Sequence, residues 1–206
     1  MGLRYDPQTH TYWLGKEKLP GVTEILRAAG FSYAFYREGD GDTGTYGHQV
    51  LQMYLAGTLE SYDPAFEPWM TGIRMFMKEE RPEVFISPER GLERILYSDR
   101  YKYAGTLDFA GVLKRWRGKV GIADWKFWGH SSRLVVDTAG LQSAAYGELF
   151  REYEFECMRT RMPRAAVHFF PGGYSIFDLR ERQDWDYFLS ALNCWRWRKR
   201  HGQIKG

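Results

Sequence analysis

The sequence predicts a mixed α/β domain, on three observations. A chain of 206 residues can bury one substantial core without covalent staples. Apolar residues recur at helical spacing from about residue 45 to about residue 80, and then the pattern changes to short β-rich runs. A long helical stretch separates those runs from two further strands and a last helix, so strands and helices interleave.

In order, residues 3–19 predict a hairpin, with Thr11-Tyr12-Trp13-Leu14 as one arm, Gly15 in the turn and Leu19-Pro20-Gly21 closing it. Thr23 is read as the cap of a short helix, Glu24 to Ala29, stopped by Gly30. Phe31 to Asp42, with Gly39 and Gly41, predicts a loop. Val50, Leu51, Tyr54 and Leu55 place a helix over Thr45 to Ala56, and Ile73, Phe76 and Met77 another over Pro68 to Glu79. Leu92 to Tyr97, Tyr103 to Leu113 and Lys119 to Phe127 predict three strands. Asp137 is read as the cap of a long helix reaching about Met158. Ala165 to Phe170 and Tyr174 to Leu179 form two strands about Pro171-Gly172-Gly173, and a helix runs from about Gln183 to Arg200.

Composition narrows the function classes. Lys and Arg number 29 against 26 Asp and Glu, so any footprint for a polyanion is local rather than global. The densest local excess is Trp195-Arg196-Trp197-Arg198-Lys199-Arg200-His201, which fits either a phosphate track or a solvated helix face. Aromatics are 17% of the chain, enough for a rich core and for base-stacking surfaces. The two cysteines, Cys157 and Cys194, cannot make a four-thiolate zinc or iron–sulfur site. The N-terminus lacks the apolar stretch of a signal peptide, and no apolar run approaches the ~20 residues that span a bilayer. A cytoplasmic protein with no membrane association is the expectation.

The chemistry lies in the middle strands. Gly105-Thr106-Leu107-Asp108 leads into a turn near Trp116, and the chain returns as Asp124-Trp125-Lys126. A turn centred there sets Asp108 opposite Asp124, with Cβ atoms about 4.5–5.5 Å apart. Carboxylates that close repel unless a proton or cation separates them. Side-chain alternation puts Lys126 on the face of Asp124. Two carboxylates and an ammonium suit a hard divalent ion. Spacing alone equally allows a solvated sheet face with an exposed Asp124–Lys126 pair.

The series Gly105-Thr106-Leu107-Asp108, Asp124-Trp125-Lys126, then Gln142 and Tyr146, resembles the GxxD…(D/E)xK…QxxxY motifs of RecB-type PD-(D/E)XK nucleases. His48, after Gly44-Thr45-Tyr46-Gly47, matches the histidine that this family carries on an upstream helix, and Leu19-Pro20-Gly21-Val22-Thr23-Glu24-Ile25-Leu26 resembles a segment of its phage and mitochondrial genome-maintenance exonuclease branch. The resemblance covers about residues 10–150. Leu107 departs from it where the superfamily has proline, and Phe127-Trp128 where relatives have a small or hydroxyl residue.

The resemblance implies a restriction-endonuclease-like core with a mixed central sheet and an N-terminal helical arch. It implies a single nuclease domain over 1–206: hairpin and helix in 1–30, arch in 31–85, catalytic α/β core in 86–206. His48, Asp108, Asp124 and the Trp125 carbonyl would hold one or two Mg²⁺ or Mn²⁺ ions, without an iron–sulfur cluster. Lys126 would act on water and phosphate, with Gln142 and Tyr146 supporting the site. DNA, linear or single-stranded, is the implied partner, cut as an exonuclease in phage or prokaryotic recombination or processing. A nicking or structure-selective endonuclease shares every one of these residues, and a non-catalytic DNA-binding module of the same fold is a further reading. Glu93 is read as a solvated strand residue or an outer-shell acid, and His130 and His168 as structural.

Overall fold

A computed structural model of the chain describes residues 2–31, 40–127, 133–154 and 162–204. Trp128, His130, Cys157 and Met158 lie outside the described residues, as does most of the expected 31–42 loop.

The N-terminus is a three-stranded antiparallel sheet, β1 (Leu3–Asp6), β2 (Thr11–Leu14) and β3 (Glu17–Leu19), where a two-armed hairpin was expected. The extra strand forms because the Asp6 carboxylate accepts the backbone N–H of Gln8 and closes a turn the sequence pattern did not mark. Helix α1 (Val22–Ala28) starts ahead of the expected cap: Gly21 occupies the cap position and Thr23 lies inside the helix. The preceding segment is anchored to the main sheet, since Pro20 O accepts from Ala104 N–H and Gly21 bridges Ala104, so the chain has already turned before Thr23.

Helix α2 (Asp40–Ala56) begins five residues before the expected Thr45 and takes in residues read as loop. Packing outweighs the weak helix propensity of Gly47 here. A Cβ on Gly47 would stand 2.4 Å from the Phe127 ring, so only glycine lets the helix lie this close to the sheet. After a 3₁₀ turn at Pro64–Phe66, α3 spans Glu67–Glu80. Both helices bury apolar side chains on the sheet: Val50, Leu51, Met70, Ile73 and Phe76 share a core with Trp125, Phe127 and Phe169. They form a packed layer against the sheet.

The main sheet has six strands. β4 (Glu83–Val84) and β5 (Leu92–Ser98), joined through the short helix α4 (Pro88–Gly91), both pair with β6 (Tyr103–Val112). The sheet continues through β7 (Val120–Phe127), β8 (Arg164–Phe170) and β9 (Gly173–Asp178). Among the described strands of this sheet only β7 and β8 pair in parallel, with α5 (Arg133–Tyr153) as the crossover between them. That helix starts four residues before Asp137, which is therefore not its cap. Helix α6 (Asp184–Arg200) packs with α1 and α5 on the other face. The architecture is thus α/β, a mixed sheet between helical layers.

One irregularity positions the site. Residues two apart on a strand normally share a face, yet Leu107 belongs to the α5 core and Phe109 to the α2–α3 core. On β5, Leu92 likewise packs in the α2–α3 core while the Arg94 guanidinium stacks over Phe150 of α5. The sheet turns over between them, at Asp108 and Glu93. Glu93 has φ 43°, a left-handed conformation that costs a residue with a side chain about 1–2 kcal/mol.

Candidate metal centre

The β6–β7 ladder follows the expected register, with Phe109 opposite Ala123 and Val112 opposite Val120, and ends at Phe109. The next pair is Asp108 and Asp124. There the strands part, and the Trp125 N–H donates to Asp108 Oδ2 at 2.8 Å instead of to a strand carbonyl. The carboxylates stand at this fork, 8% and 1% exposed, so solvent reaches them only by way of their neighbours.

His48 reaches the fork from α2 because Gly47 seats the helix on Phe127. Its Nδ1 lies 3.1 Å from Glu93 Oε1 and 3.9 Å from Asp108 Oδ1, and its Nε2 lies 3.1 Å from the Trp125 carbonyl oxygen. His48, Glu93 and Asp108 each offer a ligand atom, all within 4.8 Å of one another.

Asp124, expected among the ligands, lies outside this group. Lys126 Nζ stands 2.7 Å from its Oδ2 as an ion pair, and both oxygens, equally buried, lack a well-aligned hydrogen-bond donor among the described residues, Oδ1 having no ion-pair partner either. Lys126 Nζ also donates to Gln142 Oε1 at 3.4 Å, and Gln142 Nε2 donates to Tyr146 Oη at 3.1 Å. That second bond fixes the amide so that its oxygen faces the lysine. Room for Tyr146 comes from Gly105, where a Cβ would fall 2.5 Å from the ring.

Burial pushes the Asp108 carboxyl up, against the pull of His48 and Lys126, to about 6. Burial, with the Asp108 charge added, pushes Asp124 up to about 6 although Lys126 opposes it. Burial works against a charged His48, but Asp108 and Glu93 outweigh it and hold the imidazole at about 9. The imidazolium therefore supplies positive charge among carboxylates that are incompletely matched.

The sequence-expected residues are thus gathered in two adjoining groups. His48, Asp108 and the Trp125 carbonyl converge as expected, and Asp124 joins Lys126, Gln142 and Tyr146. Glu93 belongs to the first group and is not a solvated strand residue. A turn centred between Arg100 and Tyr101 pairs Glu93 with Asp108, a signal present in the sequence. His168 is buried on β8 in register with Lys126, its ring 5.4 Å from that of Phe170.

An imidazole with several carboxylates is a donor set suited to Mn²⁺ and tolerable to Mg²⁺. The buried Asp124 Oδ1 without a donor is the kind of atom a cation satisfies. The residues fit a divalent ion. Compared with known proteins, the chain matches no family model, and no curated protein matches it.

Proposed function

We propose that the protein is a divalent-metal-dependent deoxyribonuclease with a PD-(D/E)XK core, hydrolysing phosphodiester bonds at DNA ends or in single strands. The carrying observation is the fork itself: His48, Glu93 and Asp108 within 4.8 Å on one side, and the Asp124–Lys126 pair at 2.7 Å on the other. Buried carboxylates of ordinary structural use have cationic partners, whereas this group keeps a buried oxygen without a donor.

His48, Glu93, Asp108, Asp124 and the Trp125 carbonyl would hold Mg²⁺ or Mn²⁺. A bound ion would lower the pKa of water and polarise a phosphoryl oxygen. Lys126, kept by Gln142 at the Asp124 side, orients the attacking water and offsets charge gathering on the phosphate. Tyr146 acts only through Gln142 and is a positioning residue. The recessed carboxylates favour substrates whose phosphates can enter: His48 and Glu93 are 29% and 24% exposed at the mouth, against 1% for Asp124. In this reading an end or a flexible single strand enters more readily than an intact duplex.

The test is degradation of end-labelled linear DNA beside covalently closed circles, with Mg²⁺ or Mn²⁺ and with chelator. Linear DNA should be degraded only with metal, and closed circles spared. Cutting of closed circles would move the assignment to an endonuclease. Absence of any metal-dependent cleavage would defeat the nuclease reading.

A further inference from the structure

At the far end of β7 from Asp124 lies a cleft of about 520 Å³. Three separate connections build it: the β6–β7 turn, the start of β8 and the segment after β9. Arg115, Arg117, Lys119, Arg164, Arg180 and Arg182 line it, and Asp178 is the one carboxylate among the lining residues. The whole chain carries only 3 more basic than acidic residues, so this gathering is a feature of the fold.

The ion pairs do not balance it. Arg115 lies 3.0 Å from Glu80 and 3.6 Å from Asp178, Arg180 pairs with Asp178 at 2.7 Å, and Arg164 with Asp184 at 2.9 Å. Three carboxylates thus serve three of the six cations. Arg117, Lys119 and Arg182 are exposed and make no ion pair among the described residues. Cations held together without counter-charge repel one another, and an arriving anion relieves that repulsion.

We propose that this cleft is a second nucleic-acid contact, which holds backbone phosphates of the duplex whose end or strand enters the fork. The charge-bearing rim is open, with the Arg180 side chain 84% exposed. A pocket for a free nucleotide would enclose its ligand with converging buried donors. An open rim fed from three connections suits an extended polyanion. Lys119 precedes Asp124 by five residues, about 17 Å of strand at ~3.3 Å per residue. That is the length of about five base pairs at ~3.4 Å each. The cleft therefore lies within reach of duplex behind a reacting end. This inference rests on the nucleic-acid part of the proposed function and not on hydrolysis.

The experiment is fluorescence anisotropy of a short labelled duplex in chelator, where no metal-dependent cutting occurs, across about 50 to 200 mM salt. The variant is Arg117→Ala/Lys119→Ala/Arg182→Ala, whose residues are exposed and hold no ion pair, with its thermal midpoint checked against the parent. Each lost phosphate contact lowers the salt slope by about 0.9, so the triple variant should lose about 2 to 3 units of slope and bind at least about tenfold more weakly at low salt. Lys119→Glu alone should show a smaller loss in the same direction and serves if the triple variant is destabilised. An unchanged slope in both variants overturns the proposal, as does a parent that binds no duplex. A nucleoside triphosphate and inorganic phosphate form the other arm. If they bind the parent through these residues while duplex binding is unaffected, the ligand is a small phosphate and the nucleic-acid assignment fails. Duplex binding that depends on the cleft without any cleavage would sink the nuclease reading alone, and cleavage with cleft-independent binding would sink this inference alone.

Discussion

Two groups of buried carboxylates face different company in this molecule. Glu154, 5% exposed, is bound by Arg90 and by Arg94, the latter at 2.7 Å; Asp184, also 5% exposed, is bound by Arg164. Arginine brings a fixed charge and a fork of donors, so these acids are satisfied where they stand. Asp108 and Asp124 are as deeply buried, yet one N–H, one ammonium and a histidine are all that the described residues supply. The first group closes the fold. The second is left incomplete, and its carboxyls are held up at about 6 in consequence. Incomplete matching costs the fold stability, and under the proposed function a bound cation would offset that cost.

Breaking one member of each group sharpens the contrast, and this is the largest effect expected. Asp124→Asn should lower cleavage by about 10³-fold or more, because an anionic ligand is lost with little change of shape. The metal-free protein should melt at a higher temperature, since the burial cost of that charge goes with it. Glu154→Gln should do the reverse: about 3 kcal/mol of stability lost with two arginines left unmatched, and cleavage per folded molecule unchanged. Paired melting curves and turnover assays check both. A stabilised Glu154→Gln or a fully active Asp124→Asn would erase the distinction.

A subtler effect is the pH dependence of the metal-free protein. Folded Asp124 keeps its proton to about pH 6, whereas the unfolded chain releases it in the ordinary carboxylate range. The folded state then binds more protons between those values, and stability falls as pH rises through them. The gain in melting temperature from Asp124→Asn should therefore be small near pH ~4 and complete above about pH 6. His48 adds a second limb. Its pKa of about 9 contributes stability that is full below about 6.5 and is lost as pH rises through 9. The loss caused by His48→Gln should shrink over that upper range. Melting curves of each variant and the parent, taken in chelator from acid to alkaline pH, test both limbs; a gain independent of pH would show that Asp124 is not held protonated.

Much of this arrangement was legible in the sequence. The turn near Trp116 was enough to bring Asp108 and Asp124 to the end of one ladder, because antiparallel register follows from the turn. Gln142 and Tyr146, four apart on a helix, had to share a face. The β5–β6 turn was enough to set Glu93 opposite Asp108, but not the face it takes, which depends on a left-handed backbone and a sheet that turns over beside it, and alternation rules assume neither. The helix over Asp40 to Gly44 was hidden because Gly41 and Gly44 have weak helix propensity and read as loop. The arginine cleft draws on residues from 115 to 182, and no sequence window contains it.

Calorimetric titration of Mn²⁺ into the parent protein, Asp108→Asn and Lys126→Ala decides whether the fork holds a divalent ion. Asp108 is a ligand in this account, and its asparagine variant still accepts the Trp125 N–H, so metal binding should be lost from an intact fold. Lys126 acts on water and phosphate, so Lys126→Ala should bind Mn²⁺ at least as well as the parent while cleaving nothing. Saturable binding in the parent and in Lys126→Ala, absent from Asp108→Asn, is the predicted result; equal binding to parent and Asp108→Asn, or none to either, would contradict it.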